Sequence, residues 1–295
     1  MTAPALMEDV SDTARWVAYY RALESERSDA LFRDPFARRL AGERGRAMAE
    51  TMPSVALPWA IAVRTRVYDE LILEAIERDK VSAVLNLAAG MDARPYRLRL
   101  PRSLRWFEAD LPGILAAKAD ALVDEQPSCA LERVGLDLTN RQALGSLLTR
   151  IAAEHSQVLA VMEGLLVYLE ESAVRELADD LYACAAIRSW VLESAMPEVL
   201  VRNQRAWGKT LRAAGAEMKF APASGLEFFR HHGWETRVSK SCMLEAHRLG
   251  REMRFAPLLR GLKSLTARGR EWLRRVVVYA VVERARAAPV MRPML

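Results

Sequence analysis

Along the chain the apolar positions change their period near residue 81. Before that point they recur at helical spacing. The stretch "TARWVAYYRALESER" carries Trp16, Tyr19, Tyr20 and Leu23 along one helix, and "SDALFRDPFARRLAG" breaks at Pro35 and closes at Gly42, which predicts a short helix between turns. A longer helix, "WAIAVRTRVYDELILEAIERD", turns Ile61, Val67, Leu71, Ile72 and Ile76 toward a core. Arg64 and Arg66 stand on different faces of it, so at most one of them looks into a site.

From residue 81 short apolar runs alternate with helical segments. "VSAVLNLAA", "LRWFEAD", "ALERVGLDL", the start of "QVLAVMEGLLVYL", and "SWVLESAM" read as strands. "GILAAKADALVDE", "RQALGSLLTRIAAE" and "EESAVRELADDLYACAA" read as the helices between them. Such alternation predicts an α/β fold with a parallel sheet covered on both faces. Residues 197–232 interrupt the rhythm with helical material that carries Trp207, Phe220, Phe228 and Phe229, placed to form a lid above a pocket. "WETRVSK" and "VVVYAVVER" then supply two more strands. The expected organisation is an N-terminal helical extension over 1–80 and a ligand-binding domain over 81–295, with the lid inserted at about 197–232.

Composition narrows the class. With 295 residues, 51% of them hydrophobic, the chain can bury a large core. Charges interrupt every apolar run before the roughly 18 residues that a membrane span needs. "MTAPALMEDV" lacks the order of a secretory signal, so a cytoplasmic protein is expected. Cys129, Cys184 and Cys242 form no CxxC pair, and the four histidines do not cluster at ligand spacing, so neither disulfides nor a metal is expected. The net charge of +5 is uneven: residues 251–295 hold eleven Lys/Arg against three Glu, and everything before them sums to −3. That basic segment reads either as the solvated faces of terminal helices and an edge strand, or as an attractor for an anionic partner: an acidic substrate, an acidic carrier protein or a nucleic acid.

In open α/β sheets, ligands bind beyond the carboxyl ends of the strands. The first strand leads into Ala88-Ala89-Gly90, the second ends at Glu108-Ala109-Asp110, the third at Asp137-Leu138 and the fourth at Glu163-Gly164. A small-residue turn lets backbone approach a ligand, an acid after the second strand can accept both hydroxyls of a ribose, and one after the third can receive an exocyclic amine. The set suits an adenosine, although Asp110 and Asp137 are also placed to cap the helices that follow them. A nicotinamide dinucleotide is the natural competitor, but its pyrophosphate requires G-x-G-x-x-G. Here the turn reads A-A-G-M-D-A-R, and Asp92 would repel a diphosphate. S-adenosylmethionine, which has an adenosine and a cationic centre but no phosphate, is the expected cofactor.

The chain resembles the leucine carboxyl methyltransferase-like group of class I S-adenosylmethionine-dependent methyltransferases, which includes bacterial O-methyltransferases of polyketide biosynthesis. The segments that carry the resemblance include "AVRTRVYDELI", "VLNLAAGMDARPYRL", "WFEADLPGILAAK", "VGLDLTN", "VMEGLLVYLEESAVRELADDL" and "FFRHHGW". The resemblance implies a Rossmann-like sheet with an antiparallel last strand. It implies cofactor contacts from Ala88, Ala89, Gly90 and Asp92 in the first turn, with Ala88 in place of a usual glycine. It further implies that Arg64 or Arg66, with Arg64 favoured, holds the cofactor carboxylate, that Asp110 beside Leu111 binds the ribose, that Asp137 and Leu138 meet the adenine, and that Glu163 sits near the methionine end.

Methyl transfer from a sulfonium needs an aligned nucleophile. A carboxylate is already ionised at neutral pH, whereas a phenol wants a general base. His231 and His232 fall in what the resemblance makes a structural helix end, so no base stands out and a carboxylate acceptor is favoured over a phenol. Tyr168 and Tyr20 are candidates for orienting a substrate, and the lid aromatics point to a flat or hydrophobic acid. The alternatives are a tRNA-modifying enzyme, given the basic tail, and a repurposed cofactor-binding protein, given Ala88.

Overall fold

A computed structural model describes residues 11–52, 57–253 and 255–285. The amino-terminal ten residues read above for a signal, and the last ten of the basic segment, lie outside the described residues.

Three helices come first: α1 (Ser11–Ser25), α2 (Ala37–Thr51) and α3 (Leu57–Arg78). The alternating part follows as β1 (Ala83–Leu87), α4 (Arg94–Arg97), β2 (Arg105–Asp110), α5 (Pro112–Ala121), β3 (Ala130–Gly135), α6 (Arg141–Glu154), β4 (Val158–Val161), α7 (Glu171–Ala183) and β5 (Ile187–Ala195). A 3-10 turn, Leu166–Tyr168, lies between β4 and α7. The remainder is α8 (Pro197–Ala213), α9 (Glu227–Arg230), β6 (Trp234–Ser241), α10 (Cys242–Arg248), α11 (Ala256–Ser264), α12 (Ala267–Arg275) and β7 (Val277–Arg284).

Among the described residues these strands form one seven-stranded sheet in the order β3-β2-β1-β4-β5-β7-β6. β1 to β5 run parallel, while β7 is antiparallel to both its neighbours, with Glu193 opposite Tyr279 and Thr236 opposite Val282. Alternation along each strand sends side chains to two cores. Leu85, Phe107, Ala160, Trp190 and Leu192 face α6, α7 and α9. Val84, Trp106, Leu159, Val161 and Val191 face α3, where Tyr68, Leu71 and Ile72 close the other layer. Burial on both faces explains why these strands read as continuous apolar runs. No helix among the described residues is long and apolar enough to cross a membrane.

Three details depart from the sequence reading. Gly42 does not close a helix: it adopts φ +58° and ψ −172°, kinking α2, which resumes and runs to Thr51. Among the described residues, the strand of the basic carboxyl-terminal segment is not at an edge, because β7 lies between β5 and β6, and β6 takes the edge. Of the aromatics in 197–232, Phe220, Phe228 and Phe229 pack into the core beneath the sheet, with Phe229 set edge-on to Trp190 at 5.2 Å. Trp207 alone turns the other way, edge-on to Trp16 of α1 at 5.8 Å.

Candidate active site

The strand order reverses between β1 and β4, and there a cavity of about 380 Å³ opens over the carboxyl ends of the parallel strands. Its floor is the turn after β1. Ala88 and Gly90 both have left-handed backbone, with φ +54° and +46°, and the Ala88 N–H donates to the Ala109 carbonyl at 2.8 Å. The Gly90 N–H donates to Asp110 Oδ2 at 2.6 Å, and the Leu111 N–H to Oδ1 at 2.7 Å. Asp110 is therefore fixed against the turn by the backbone on both sides. A side chain at Gly90 would bring its Cβ within 3.0 Å of the Ala14 Cβ on α1, so only glycine lets the helix cover the turn this closely. Burial raises the pKa of Asp110 above the ordinary carboxylate value, opposed by those two N–H donors.

Beyond β3, Asp137 Oδ1 accepts from the Thr139 N–H at 2.9 Å and from its hydroxyl at 2.8 Å, contacts that hold its carboxyl below the usual value. The cap of α6 belongs instead to Asn140, which accepts from the Ala143 N–H. Oδ2 of Asp137 carries no hydrogen bond among the described residues, and Leu136 and Leu138 on either side supply an apolar wall.

The far end of the cavity is charged. Arg94 from α4 is almost wholly buried between Asp69 at 2.7 Å, Asp92 at 3.0 Å and Glu163 at 2.7 Å. Arg97 pairs with Asp69 at 2.7 Å and Arg21 with Asp34 at 3.0 Å. Arg64 from α3 places Nε 2.9 Å from Glu163 Oε1 and Nη1 3.5 Å from Glu193 Oε1. Every arginine lining the cavity is thus already paired with a carboxylate, which leaves no spare cation for a pyrophosphate. Nη2 of Arg64 carries no hydrogen bond among the described residues and remains available to a smaller anion. Burial opposes charge on Glu163, but Arg94 and Arg64 outweigh it and hold its pKa below the ordinary value. Asp92 is held low by the same balance, with Arg94 the chief neighbour.

A second cavity, of about 270 Å³, lies on the other side of a wall built from Thr13, Val17, Arg64, Gly164 and Tyr168, which line both spaces. It is rich in large flat or polarisable side chains: Trp16, Tyr20, Trp59, Trp207 and Trp272, with Met218, Met243 and Met253. Its polar members include Glu193 from β5 and Arg202 from α8. No carboxylate among the described residues pairs with Arg202.

All ten positions expected to contact the cofactor line the first cavity: Arg64, Ala88, Ala89, Gly90, Asp92, Asp110, Leu111, Asp137, Leu138 and Glu163. Tyr168 stands in the wall between the cavities and Tyr20 in the second. His231 and His232 line neither, and His232 Nδ1 lies 2.6 Å from Asp179 at the surface. Arg66 points away from both cavities and pairs with Glu70 at 2.9 Å. Sequence reasoning passed over Glu193, although it lies near the carboxyl end of β5, where the rule applied to the first four strands would have found it. Arg202 carried no such signal, since its place depends on how α8 folds back over the sheet.

The family model for leucine carboxyl methyltransferase matches residues 14–182. A Streptomyces coelicolor protein named as an S-adenosyl-L-methionine-dependent methyltransferase is 34% identical over 235 residues, covering 76% of this chain and 82% of that one. A Mycobacterium marinum protein with the same description is 30% identical over 269 residues, covering 83% and 86%. Among solved structures, one described as a methyltransferase from Thermobifida fusca aligns with a TM-score of 0.59 at 13% identity, covering 96% of this chain and 97% of that one. A Streptomyces avermitilis structure aligns at 0.58 and 13% identity over 92% and 97%. At such identity the structures speak for the fold alone.

Proposed function

The chain belongs to the leucine carboxyl methyltransferase family of S-adenosyl-L-methionine-dependent methyltransferases, and we propose that it methylates an oxygen, a carboxylate or a phenol, on a small flat acidic acceptor of the polyketide type. The observation that carries this reading is the shared wall, where one cavity suited to an adenosine-bearing amino acid meets a second suited to an apolar acid.

The first cavity fits the cofactor by the chemistry of its donors. Asp110, fixed by two backbone N–H groups, would accept the ribose hydroxyls; Oδ2 of Asp137 would take the exocyclic amine, with Leu111 and Leu138 against the base. The free edge of Arg64 would hold the carboxylate, and Glu163 with Asp92 would face the ammonium. Bound there, the cofactor supplies an electrophilic methyl group on a sulfonium. The chain's own task is then to align the acceptor and exclude water, which α1 does through Thr13 and Val17, with Tyr168 hydrogen-bonded to Thr13. In the second cavity, tryptophan faces would stack on a flat acceptor, and the unpaired Arg202 guanidinium would receive its carboxylate.

Calorimetric titration with S-adenosylmethionine and, separately, with NAD tests the first half of the proposal. Micromolar affinity for the former alone is expected, and a preference for NAD would overturn it. Mass spectrometry of products from a panel of aromatic and polyketide acids tests the second half.

A further inference from the structure

We propose that Glu193 is a catalytic base, taking the proton from a hydroxyl of the acceptor in the second cavity, so that the product is a methyl ether and not a methyl ester. This rests on the reading of that cavity as the acceptor site.

Glu193 lies near the end of β5, on the sheet face that looks toward α3, opposite Tyr279 in the register with β7. Its Oε1 is committed: it accepts from the Gly164 N–H at 2.7 Å and stands 3.5 Å from Arg64 Nη1. Its Oε2 carries no hydrogen bond among the described residues, although the residue lines the cavity. A carboxylate with one oxygen anchored and the other unclaimed, beside the wall that the two cavities share, is arranged as a proton acceptor. The groups facing it are Arg64 and Tyr68 from α3, Glu163 beyond β4, Tyr168 from the 3-10 turn, Cys242 from α10 and Tyr279 from β7. Burial pushes the Glu193 carboxyl above its ordinary value, and of these neighbours Arg64 opposes the rise while Glu163 adds to it. That direction brings the group toward the pH at which a base works best.

The balance of the step is complete within the two cavities. As Glu193 takes the hydroxyl proton, an acceptor oxygen pair forms the new O–C bond, and the C–S bonding pair returns to sulfur, discharging the sulfonium. The proton remains on the Glu193 carboxyl and leaves later to water. A carboxylate acceptor has no proton to give, and a negative Glu193 beside the reacting oxygen would repel it. The same residue therefore favours a hydroxyl and disfavours an ester product.

The probe is 6-hydroxy-2-naphthoate, a flat acid that offers both kinds of oxygen, with 2-naphthoate as its counterpart lacking the hydroxyl. Quenching of the cavity tryptophans without cofactor should show the hydroxy acid bound about tenfold tighter, a preference erased by Glu193→Ala. With S-adenosylmethionine, the wild-type product should resist alkaline hydrolysis, as an ether does. Glu193→Gln should lower kcat by about 10² or more and abolish its rise with pH, leaving KM and calorimetric cofactor affinity within threefold; Glu193→Asp should restore part of kcat. An alkali-labile ester, an undiminished kcat in Glu193→Gln, or binding without hydroxyl preference or transfer would each overturn the role of Glu193 while leaving the acceptor site standing. Failure of both naphthoates to bind would overturn the acceptor site and Glu193 together.

Discussion

Arg64 reaches from α3 to Glu163 at the end of β4, Nε to Oε1 2.9 Å, across 99 residues of sequence. This pair joins the helical extension to the sheet at the point where the two cavities meet, and the remaining edge of the guanidinium is the free donor there.

Arg64→Ala should therefore weaken S-adenosylmethionine binding about 10- to 100-fold in calorimetry, the range for losing a charge-assisted contact. Arg66→Ala, whose partner is Glu70 on the outer face, should leave it unchanged. Equal losses in both variants would remove Arg64 from the carboxylate site.

Asp110→Ala should abolish measurable cofactor binding and also lower stability, because the Gly90 and Leu111 N–H groups lose their shared acceptor. A loss of about 1–3 kcal/mol in urea unfolding is expected, with the far-UV circular dichroism retained.

Ala88 holds a left-handed conformation at φ +54°, which costs a non-glycine residue on the order of 1 kcal/mol or more. Ala88→Gly should raise stability by up to about 1 kcal/mol after the added freedom of the unfolded chain is offset, and cofactor affinity should rise rather than fall. A lower urea midpoint would show that the methyl group packs usefully.

Lys118 and Glu108 form a wholly buried pair at 2.6 Å, with Arg133 on the second carboxylate oxygen at 3.1 Å. Lys118→Met should cost about 1–3 kcal/mol, because Glu108 loses one charged donor inside the core and keeps only Arg133. Adding Glu108→Gln should recover part of that loss in thermal unfolding.

Glu163 has its pKa lowered in the folded chain, where burial opposes its charge but Arg94 and Arg64 prevail. A lowered acid contributes stability that is present above its unfolded pKa and lost as the pH falls through the folded one. Wild type should therefore exceed Glu163→Gln by about 2 kcal/mol at pH 7, with the gap shrinking below pH 4.5. A gap independent of pH would mean that the side chain matters only by its shape.

The period of apolar residues was enough to place the alternating elements, because strands buried on both faces read as near-continuous apolar runs, and a charge kept inside one, such as Glu108 in β2, needs a buried partner. The small-residue turn after β1 and the acids at or just beyond the ends of β2, β3 and β4 all line the first cavity. Gly42 misled because a glycine at φ +58° serves equally to end a helix or to kink one, and the packing of the residues after it decides between the two. Phe228 and Phe229 read as lid residues since hydrophobicity alone does not say which layer an aromatic will join.

By itself, then, the sequence determined the five parallel strands, the helices α5, α6 and α7 between them and the side chains waiting at the strand ends, all of which are local consequences of periodicity and of burying backbone in hydrogen-bonded strands. Only the tertiary structure decided that β7 enters between β5 and β6, that α1 covers the first turn, that Arg64 bridges Glu163 and Glu193, and that their common wall divides the space in two. Those contacts join residues tens to hundreds of positions apart, where no periodic signal survives, and they form only once the cores on both sides of the sheet have set the register and burial of every charge.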